Sequence, residues 1–527
     1  MTRRAVAMIL AGLACAPVTP PPATVPPPSP SVTVTVRAAD PSVMRPDELR
    51  RDLVQFAADG FRGREAGTPD ATRAAKFLAE RLVFLGLEPA GDSGYFQRVP
   101  LERQAFLPTT RIAVTVRGEP VPRALAIGGD VLPLLELNPQ LPPPKTTADA
   151  DLVFAGYGSI PALNRNDLAG LNIGGKAVVI VNGAPATASA SQRTELEAAA
   201  QIGTRLGEVL ARRPAAVVIL LAGASEAIYD QYLPGVLRAV SLVQERAVVP
   251  ENERPLPMVL IGRVLPGSPF LPIGWPADDR PQVLTGRRLT AKLDLTRERF
   301  TGLNVVAIAR GTDALLNRTY VAFGAHYDHI GVLPAVGADS VANGADDDGS
   351  GTVALLAVAR AFKERPSRRS ALFVWHVAEE KGLLGSEYFT TYPTVPIDSI
   401  VAQVNADMIG RNAPDALYVV GPAAAPGGQS RVLGQVLDSV NAALPRPFAF
   451  NREWDSPTHP EQIYQRSDHY NYAQKGIPIV FLTSGLHDDY HKVSDEVAKI
   501  DFDKLSRVGE LLFRTGQALG NRMVRPR

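Results

Sequence analysis

Cysteine is nearly absent from this 527-residue chain. Cys15 is the only one, so neither an internal disulfide nor a thiolate metal site can form. Histidine is also scarce, and all seven histidines lie between His326 and His491. The net charge is +1, which gives no reason to expect nucleic-acid binding, and no apolar run is long enough to cross a membrane. Any metal must therefore be bound by His, Asp and Glu side chains.

Residues 1–16 have the pattern of an export signal. A positively charged start precedes a short apolar run, and Ala14 and Ala16 are small residues suited to cleavage. Cys15 also resembles the lipidation site of a bacterial lipoprotein, so a lipid anchor is an alternative. We therefore expect an exported protein, periplasmic or extracellular. Residues 17–45 are rich in proline, which predicts an extended linker.

Residues 296–527 alternate strand-like apolar runs with helical patterns. TYVAFGAH and ALFVWHVA are strand candidates, and GTVALLAVARAFKE is a helix candidate. This alternation predicts an α/β sandwich with a mostly parallel sheet. Residues 46–129 add two amphipathic helical patterns, the second beginning near Thr68 or Asp70 and ending at Gly86. We assign them to the N-terminal part of the same domain.

Residues 130–295 differ from the residues on either side in sequence pattern and composition. Strand-like runs such as KAVVIVNG and AAVVILLAG are separated by Pro-rich turns, and one helix is predicted from about Gln192 to Arg212. This stretch contains neither histidine nor cysteine. We therefore predict an inserted β-rich domain that carries no metal chemistry.

Acidic, imidazole and phenol side chains collect at the predicted strand ends of the C-terminal part. In an open α/β sheet these ends lie at one edge, where ligands bind. Crowded carboxylates repel one another unless a cation lies between them. Imidazole with carboxylate suits zinc, with manganese or cobalt as alternatives, and the set is large enough for two metals. The clusters contain His326, Asp328, Asp346, Asp347, Asp348, Glu379, Glu380, Asp407, Asp468, His469, Tyr490 and His491.

The motifs GAHYDH, GADDDGSG, AEEKGLLGS, NADMIG and YHKVSDE occur in this order. They resemble those of the di-zinc aminopeptidase family, which includes secreted bacterial leucyl-type aminopeptidases and, more distantly, glutamate carboxypeptidases. The resemblance covers about residues 46–125 and 296–520. It implies a three-layer α/β/α sandwich of the zinc-exopeptidase type. Within the insertion, AGYG followed by DLAGLNIGGKAVVIVNG resembles the protease-associated domain often found inside such enzymes.

The resemblance also implies a role for each residue of the site. Two zinc ions would share Asp347 as a bridging ligand. One ion would be completed by His326 and Asp407, and the other by Glu380 and His491. Glu379 would be the general base, and Asp328 would orient His326. Tyr490 would donate a hydrogen bond to the oxyanion.

These features together predict a zinc aminopeptidase that hydrolyses the N-terminal residues of peptides. A carboxypeptidase or dipeptidase on the same scaffold is an alternative. A glutaminyl cyclase keeps one zinc, and the presence of both His326 and Asp407 argues against it. A binding module that has lost its metals would have broken ligands, and none is broken. GxSxG is absent from the strand-to-helix turns, which argues against a serine hydrolase.

The other histidines are expected to line the pocket or lie on the surface rather than bind metal: His329, His376, His459 and His487. For Asp468 and His469, a place in the substrate pocket and a place in the packing are equally open. Asp346 and Asp348 are expected to cap the helix that begins near Ser350.

Overall fold

The structure is a computed structural model that describes residues 43–135, 143–198, 200–226, 229, 240–243, 255–457, 459 and 461–526. The predicted export signal, with Cys15, and most of the predicted linker lie outside the described residues. The chain divides into two compact units, which are described separately. One contains the described residues of 43–101, 241–243 and 299–526, and the other contains those of 102–240 and 244–298.

The described α-helices are α1 (Pro46–Phe56), α2 (Pro69–Leu85), α3 (Ala190–Leu196), α4 (Ala200–Leu210), α5 (Gly351–Glu364), α6 (Leu384–Thr391), α7 (Arg431–Ala442), α8 (His469–Gln474) and α9 (Phe502–Gly520). None of them is long and apolar enough to span a membrane.

The described strands are β1 (Glu88–Pro89), β2 (Phe96–Phe106), β3 (Arg111–Val116), β4 (Arg123–Ala124), β5 (Val131–Leu134), β6 (Thr147–Phe154), β7 (Ser159–Ile160), β8 (Arg165–Asn166), β9 (Ala177–Asn182), β10 (Ala216–Leu221), β11 (Val240–Leu242), β12 (Met258–Arg263), β13 (Gln282–Lys292), β14 (Leu295–Ala309), β15 (Tyr320–His326), β16 (Val332–Val336), β17 (Asp339–Val341), β18 (Ser370–His376), β19 (Ile400–Ala406), β20 (Ala416–Val420), β21 (Ala449–Asn451) and β22 (Ile479–Thr483).

The unit that carries the strand-end clusters is built on a ten-stranded sheet of described strands. Its order is β11-β2-β14-β18-β15-β19-β22-β20-β21, and β1 pairs with β14. The four central strands β18, β15, β19 and β22 are parallel, whereas β14 and β20 run antiparallel to their central neighbours. The prediction of a largely parallel central sheet is thus confirmed, with antiparallel pairings toward the edges.

Helices cover both faces of this sheet, because its central strands are apolar on both faces. On one face, Phe323 of β15 packs against Phe362 of α5 with ring centroids 5.5 Å apart, and Phe362 packs against Phe513 of α9 at 5.1 Å. On the other face, Phe389 of α6 and Tyr472 of α8 belong to one buried apolar cluster with residues of the strands. The predicted three-layer α/β/α arrangement is therefore confirmed.

Helix α2 begins and ends at the residues that the sequence predicts. The hydroxyl of Thr68 accepts a hydrogen bond from the backbone N–H of Ala71, and Pro69 occupies the first helical position. Gly86 ends the helix with φ +67°, a left-handed conformation that favours glycine. Helix α1 buries Leu49, as its pattern predicts.

The other unit contains an eight-stranded mixed sheet of order β4-β3-β13-β6-β9-β10-β12-β5, in which β6, β9, β10 and β12 are parallel. The described part of this unit also includes residues 102–129, because β3 pairs with β13 over its whole length. The bounds of the insertion at residues 130–295 stay a prediction. The single helix predicted from Gln192 to Arg212 is wrong. Two helices, α3 and α4, replace it, and Arg205 of α4 donates to the carbonyl oxygen of Leu196 at the end of α3.

Candidate metal centre

Three parallel strands of the larger sheet end at the same edge, and polar residues follow each of them. β15 ends at His326, β18 ends shortly before Glu379, and β19 ends directly before Asp407. In the β15–β18 register His326 lies beside His376, and β15 also pairs with β19. The three strand ends are therefore neighbours, which brings their polar side chains together.

His326, Glu379 and Asp407 form one group of possible metal ligands, with ligand atoms all within 4.8 Å of one another. Nε2 of His326 lies 3.6 Å from Oδ1 of Asp407 and 3.8 Å from Oε2 of Glu379. Nδ1 of His326 lies 3.1 Å from the backbone carbonyl oxygen of Asp328. A carbonyl oxygen only accepts, so Nδ1 donates to it and holds the ring with Nε2 facing Asp407 and Glu379.

Glu380 and His491 lie on the other side of Asp347. Nε2 of His491 is 3.0 Å from Oε2 of Glu380 and 3.2 Å from Oδ2 of Asp347. The other oxygen of Asp347, Oδ1, is 3.3 Å from Nε2 of His326. Asp347 thus turns one oxygen toward each histidine, as a carboxylate that bridges two metal ions would.

Hydrogen bonds to the backbone of the loop Ala345–Ser350 hold Asp347 in place. The carboxylate of Asp495 accepts from the backbone N–H of Asp346 at 3.0 Å and from that of Asp347 at 3.1 Å. Gly344, which precedes the loop, has φ +53°, and a Cβ there would collide with the carbonyl oxygen of Asp347. Only glycine fits both the conformation and the close approach.

Asp346 and Asp348 have different contacts, although both were expected to cap the following helix. Asp348 accepts from the backbone N–H of Gly351, the first residue of α5, at 2.9 Å, so this expectation is confirmed. Asp346 does not cap the helix. Its carboxylate accepts from the backbone N–H of Gly410 at 2.6 Å and lies 3.3 Å from Nε2 of His487.

Burial and neighbouring charge oppose each other at the two histidines. Burial disfavours the charged form of His326, but Glu379 and Asp407 outweigh it and raise the pKa of His326 well above its usual value. At His491, burial is likewise outweighed by Glu380, and the pKa of His491 rises to about 10. The pKa of Glu380 falls to about 2, since His491 outweighs the effect of burial there. Imidazole and carboxylate each favour the charged form of the other.

Glu379 behaves differently from Glu380, its neighbour in the chain. Burial raises the pKa of Glu379 well above the usual value, and Glu380 and Asp407 raise it further, while His326 acts in the opposite direction. A carboxyl group with a raised pKa takes up a proton more readily than an exposed glutamate does. This is the property that the predicted general base requires.

Asp328 contacts His326 in a different way from the one predicted. Its carboxylate oxygen Oδ1 is 4.0 Å from Nδ1 of His326, and the backbone carbonyl of Asp328 makes the closer contact instead. Oδ1 accepts from the backbone N–H of Glu379 at 3.1 Å. The backbone carbonyl of Asp328 thus contacts the ring of His326. The carboxylate of Asp328 is therefore available to the backbone N–H of Glu379.

Tyr490 lies against the ring of His491, with ring centroids 3.9 Å apart and an interplanar angle of 21°. Burial raises the pKa of Tyr490 well above the usual value, and Asp347 and Glu380 add to this effect. The phenol therefore keeps its proton and can donate a hydrogen bond near the two groups of ligands.

Two residues of the centre were not predicted. His329, expected to line the pocket or lie on the surface, is fully buried, and its Nδ1 lies 2.8 Å from Oε1 of Glu380. Ser467 donates from its hydroxyl to Oδ2 of Asp407 at 2.8 Å. The sequence signal for His329 is its place as the last residue of the GAHYDH motif, and Ser467 had no signal except its place beside Asp468.

Asp468 and His469 are both fully buried, and each lies against another buried residue. Oδ2 of Asp468 lies 3.2 Å from Nδ1 of the buried His376, whose Nε2 is 3.0 Å from the hydroxyl of Tyr472. Nε2 of His469 lies 2.9 Å from the carbonyl oxygen of Tyr464. Burial lowers the pKa of His469 to about 3, so its ring is neutral.

Several atoms of the centre fit a bound cation. Among the described residues, Oδ2 of Asp347, Oδ1 of Asp407 and Nε2 of His491 are buried and have no hydrogen-bond partner. A buried donor or acceptor without a partner is costly, and a metal ion would compensate for it. The donor set of imidazole nitrogen and carboxylate oxygen suits zinc.

Comparison with known proteins agrees with this geometry. Residues 304–515 match Peptidase family M28. We refer to residues 304–515, the part of the chain that is similar to this family, as the M28 region. Asp328, Asp347, Glu379 and the other predicted site residues all lie inside the M28 region, whereas residues 102–298 lie outside it.

The chain is also similar to curated fungal proteins. The chain is 32% identical over 204 residues to leucine aminopeptidase 1 of Uncinocarpus reesii, with 36% of this chain and 48% of that protein covered. It is 31% identical over 202 residues to leucine aminopeptidase 1 of Penicillium rubens, with 35% and 49% covered. The chain therefore spans about half the length of the curated relatives it matches.

Two solved structures have a similar fold over most of the chain. An aminopeptidase from Aneurinibacillus sp. strain AM-1 has a TM-score of 0.56 at 17% identity, with 92% of this chain and 98% of that chain covered. A zinc aminopeptidase from Bacillus subtilis has a TM-score of 0.50 at 19% identity, with 92% and 97% covered. At these identities the similarity concerns the fold.

Proposed function

We propose that this protein is an exported, zinc-dependent aminopeptidase that removes N-terminal residues from peptides. The observation that carries the proposal is Asp347, which turns one oxygen toward His326 and the other toward His491 while Glu379 lies beside His326. The names of the M28 relatives and of the similar structures support the choice of an aminopeptidase.

Two zinc ions would be held by the candidate ligands, with Asp347 contributing to both sites. His326 and Asp407 would complete one site, and Glu380 and His491 the other. When bound, zinc acts as a Lewis acid that makes water more acidic and polarises a carbonyl group.

The chain's own residues would then move the proton and stabilise charge. Glu379 would take a proton from the attacking water and pass it to the departing amine, as its raised pKa permits. Asp328 holds the backbone of Glu379 and so places this base. Tyr490 would donate a hydrogen bond to the carbonyl oxygen as negative charge develops there.

The test is hydrolysis by the purified full chain of aminoacyl-nitroanilides and of N-blocked peptides, with and without a chelator and then with added zinc. We expect chelator-sensitive release from substrates with a free amino group only, restored by zinc. Release of C-terminal residues from blocked peptides would instead identify a carboxypeptidase, and cyclisation of N-terminal glutamine a glutaminyl cyclase. Hydrolysis that a chelator leaves unchanged would contradict the zinc mechanism.

Export is a separate part of the proposal, and the charged and apolar start of the sequence supports it. Mass spectrometry of the protein from a bacterial host's exported fraction should show cleavage near Ala16. If Cys15 is lipidated instead, the mass rises by acyl chains, and this increase disappears in Cys15→Ser. Full-length protein confined to the cytoplasm would contradict export.

We also propose that the region around residues 130–295 is an inserted, protease-associated-like domain. Its AGYG and DLAGLNIGGKAVVIVNG motifs support this assignment, as does the absence of histidine. Calorimetric unfolding of the full chain should show two transitions, and zinc should raise the temperature of only one. A single transition that zinc shifts as a whole would contradict independent folding of the insertion.

A further inference from the structure

Asp407 and Glu380 are the terminal carboxylates of the candidate ligand set, meaning that each belongs to only one of the two proposed sites. They share a feature that their motifs do not show. Each has one oxygen tied by a donor from the protein and one oxygen directed at a histidine. In Asp407, Oδ2 accepts from the Ser467 hydroxyl at 2.8 Å, whereas Oδ1 lies 3.6 Å from Nε2 of His326. Oδ1 has no hydrogen-bond partner among the described residues.

Glu380 repeats this division on the other side of Asp347. Its Oε1 lies 2.8 Å from Nδ1 of His329, and its Oε2 lies 3.0 Å from Nε2 of His491. A carboxylate oxygen only accepts, so Nδ1 of His329 is the donor. Nδ1 of His329 lies 3.7 Å from Oδ2 of Asp347, which is beyond hydrogen-bond distance, so its hydrogen bond goes to Glu380.

Both donors are buried, so water cannot replace them easily. The relative exposure of His329 is 0% and that of Ser467 is 1%. Ser467 is itself held by a chain of amides: Asn405 donates to its hydroxyl at 2.9 Å, and Gln403 donates to Asn405 at 3.0 Å. The ring of His329 packs near His491, with centroids 5.7 Å apart.

We propose that Ser467 and His329 are positioning residues, one for each metal site. Each ties one oxygen of a terminal carboxylate, so that the other oxygen alone is presented to the metal. This inference rests on the ligand set of the proposed function. It adds that the two sites are supported by separate residues and can be weakened one at a time.

The size of the effect can be derived from the role of such outer partners. A ligand carboxylate without its hydrogen bond can rotate, and loss of such a partner typically lowers metal affinity by about 10- to 100-fold. Ser467→Ala should therefore weaken the site of His326 and Asp407. His329→Ala should weaken the site of Glu380 and His491.

The experiment is zinc titration of the metal-free full chain, by calorimetry and by chelator competition, with variants that isolate each site. In Asp407→Ala the remaining zinc should be weakened about 10- to 100-fold by His329→Ala and left unchanged by Ser467→Ala. In His491→Ala the pattern should reverse. This crossed result is one that a general loss of structure would not produce.

Conservative variants and a matched control complete the design. Ser467→Thr keeps the hydroxyl, and His329→Asn keeps a donor close to the position of Nδ1, so both should recover most of the zinc affinity. His487→Ala removes another buried imidazole whose partner, Asp346, is outside the ligand set, and it should leave both zinc affinities unchanged. Thermal unfolding of each metal-free variant checks that it folds.

The outcomes separate this inference from the proposed function. If the unmodified chain binds no zinc, the proposed function fails first. If it binds two zinc ions but Ser467→Ala and His329→Ala weaken both sites equally, or neither, the inference is wrong. If His329→Ala abolishes one site while His491→Ala retains it, His329 is itself a ligand and its positioning role is overturned.

Discussion

The two units of this chain share a plan, yet the candidate metal centre lies in only one of them. Each has a sheet with parallel central strands: β18, β15, β19 and β22 in one, and β6, β9, β10 and β12 in the other. In both units these strands are largely buried apolar runs. The units differ in the side chains that lie at the strand ends.

In the unit outside the M28 region, an arginine fills the space at the strand ends. β9 ends at Asn182, and the buried guanidinium of Arg205 donates to the carbonyl oxygens of Val181, Gly183 and Leu196 at distances between 2.7 and 3.0 Å. Its donors meet acceptors of the protein itself. Such an arrangement stabilises the fold, because these donors of the guanidinium are paired with backbone acceptors.

In the M28 region the strand ends carry atoms that lack such partners. Asp347, Asp407 and His491 each have a buried oxygen or nitrogen without a hydrogen-bond partner among the described residues. Two similar sheets therefore differ at their strand ends. In one unit the guanidinium of Arg205 is paired with backbone carbonyls, whereas in the other the candidate site contains buried polar atoms without a hydrogen-bond partner among the described residues. Fold alone does not determine function, and the side chains at the strand ends decide it.

The largest expected effect comes from removing the bridge between the two sites. Asp347→Ala should abolish zinc binding and reduce peptide hydrolysis to background, because both sites lose a shared ligand. Metal analysis after dialysis, together with the nitroanilide assay, measures this. Asp151→Ala removes an exposed carboxylate from the other unit and is the matched control, which should change neither zinc content nor rate. Retention of two zinc ions by Asp347→Ala would contradict the bridging role.

Glu379→Gln should lower kcat by about 100- to 10,000-fold, the usual contribution of a general base, while zinc binding persists. The base must be unprotonated to accept a proton, and the pKa of Glu379 is raised. The rate of the unmodified protein should therefore fall as the pH decreases through this pKa, above the pH at which an exposed glutamate titrates. A pH–rate profile of Glu379→Gln should lack this acidic limb. An unchanged limb would assign it to another group.

Arg205→Met tests the strand ends of the other unit. Three backbone carbonyls lose a buried donor, so we expect the free energy of unfolding of that unit to fall by about 2–4 kcal/mol. Zinc affinity should not change. Denaturant unfolding measured alongside zinc titration separates the two effects. A large loss of zinc affinity would show that the units are not independent.

The smallest expected effects come from removing helix caps, and each unit contains a helix with a side-chain cap. Thr68 caps α2, and Ser189 caps α3 in a capping box with Gln192. Thr68→Ala and Ser189→Ala should each lower the free energy of unfolding by about 1 kcal/mol, each only in the unfolding transition of its own unit. Thermal unfolding by calorimetry measures both. Equal shifts of both transitions by either variant would contradict this.

The sequence was informative about elements whose causes are local. The caps at Thr68 and Gly86 depend on hydrogen bonding and backbone conformation within a few residues, so α2 was predicted at both ends. The single helix predicted from Gln192 to Arg212 was wrong for a non-local reason. The guanidinium of Arg205 donates to the carbonyl oxygen of Leu196 at the end of α3. This contact forms only when the chain is folded.

The candidate site shows the same limit. The types and order of His326, Asp347 and Asp407 predict a metal centre, because crowded carboxylates repel one another unless a cation lies between them. Their sequence does not show which oxygen of each carboxylate is free. Nor does it show that the backbone carbonyl of Asp328, rather than its carboxylate, holds the ring of His326.

The sequence by itself determined the α/β class, the edge of the sheet at which the candidate site lies and the chemical types of the candidate ligands. These depend on hydrophobic periodicity and on residue types, which are properties of short segments. Only the tertiary structure decided that His329 and Ser467 support the two carboxylates, and that Asp495 holds the loop of Asp347. Those contacts join residues far apart in the chain, and packing, which no local pattern records, brings them together.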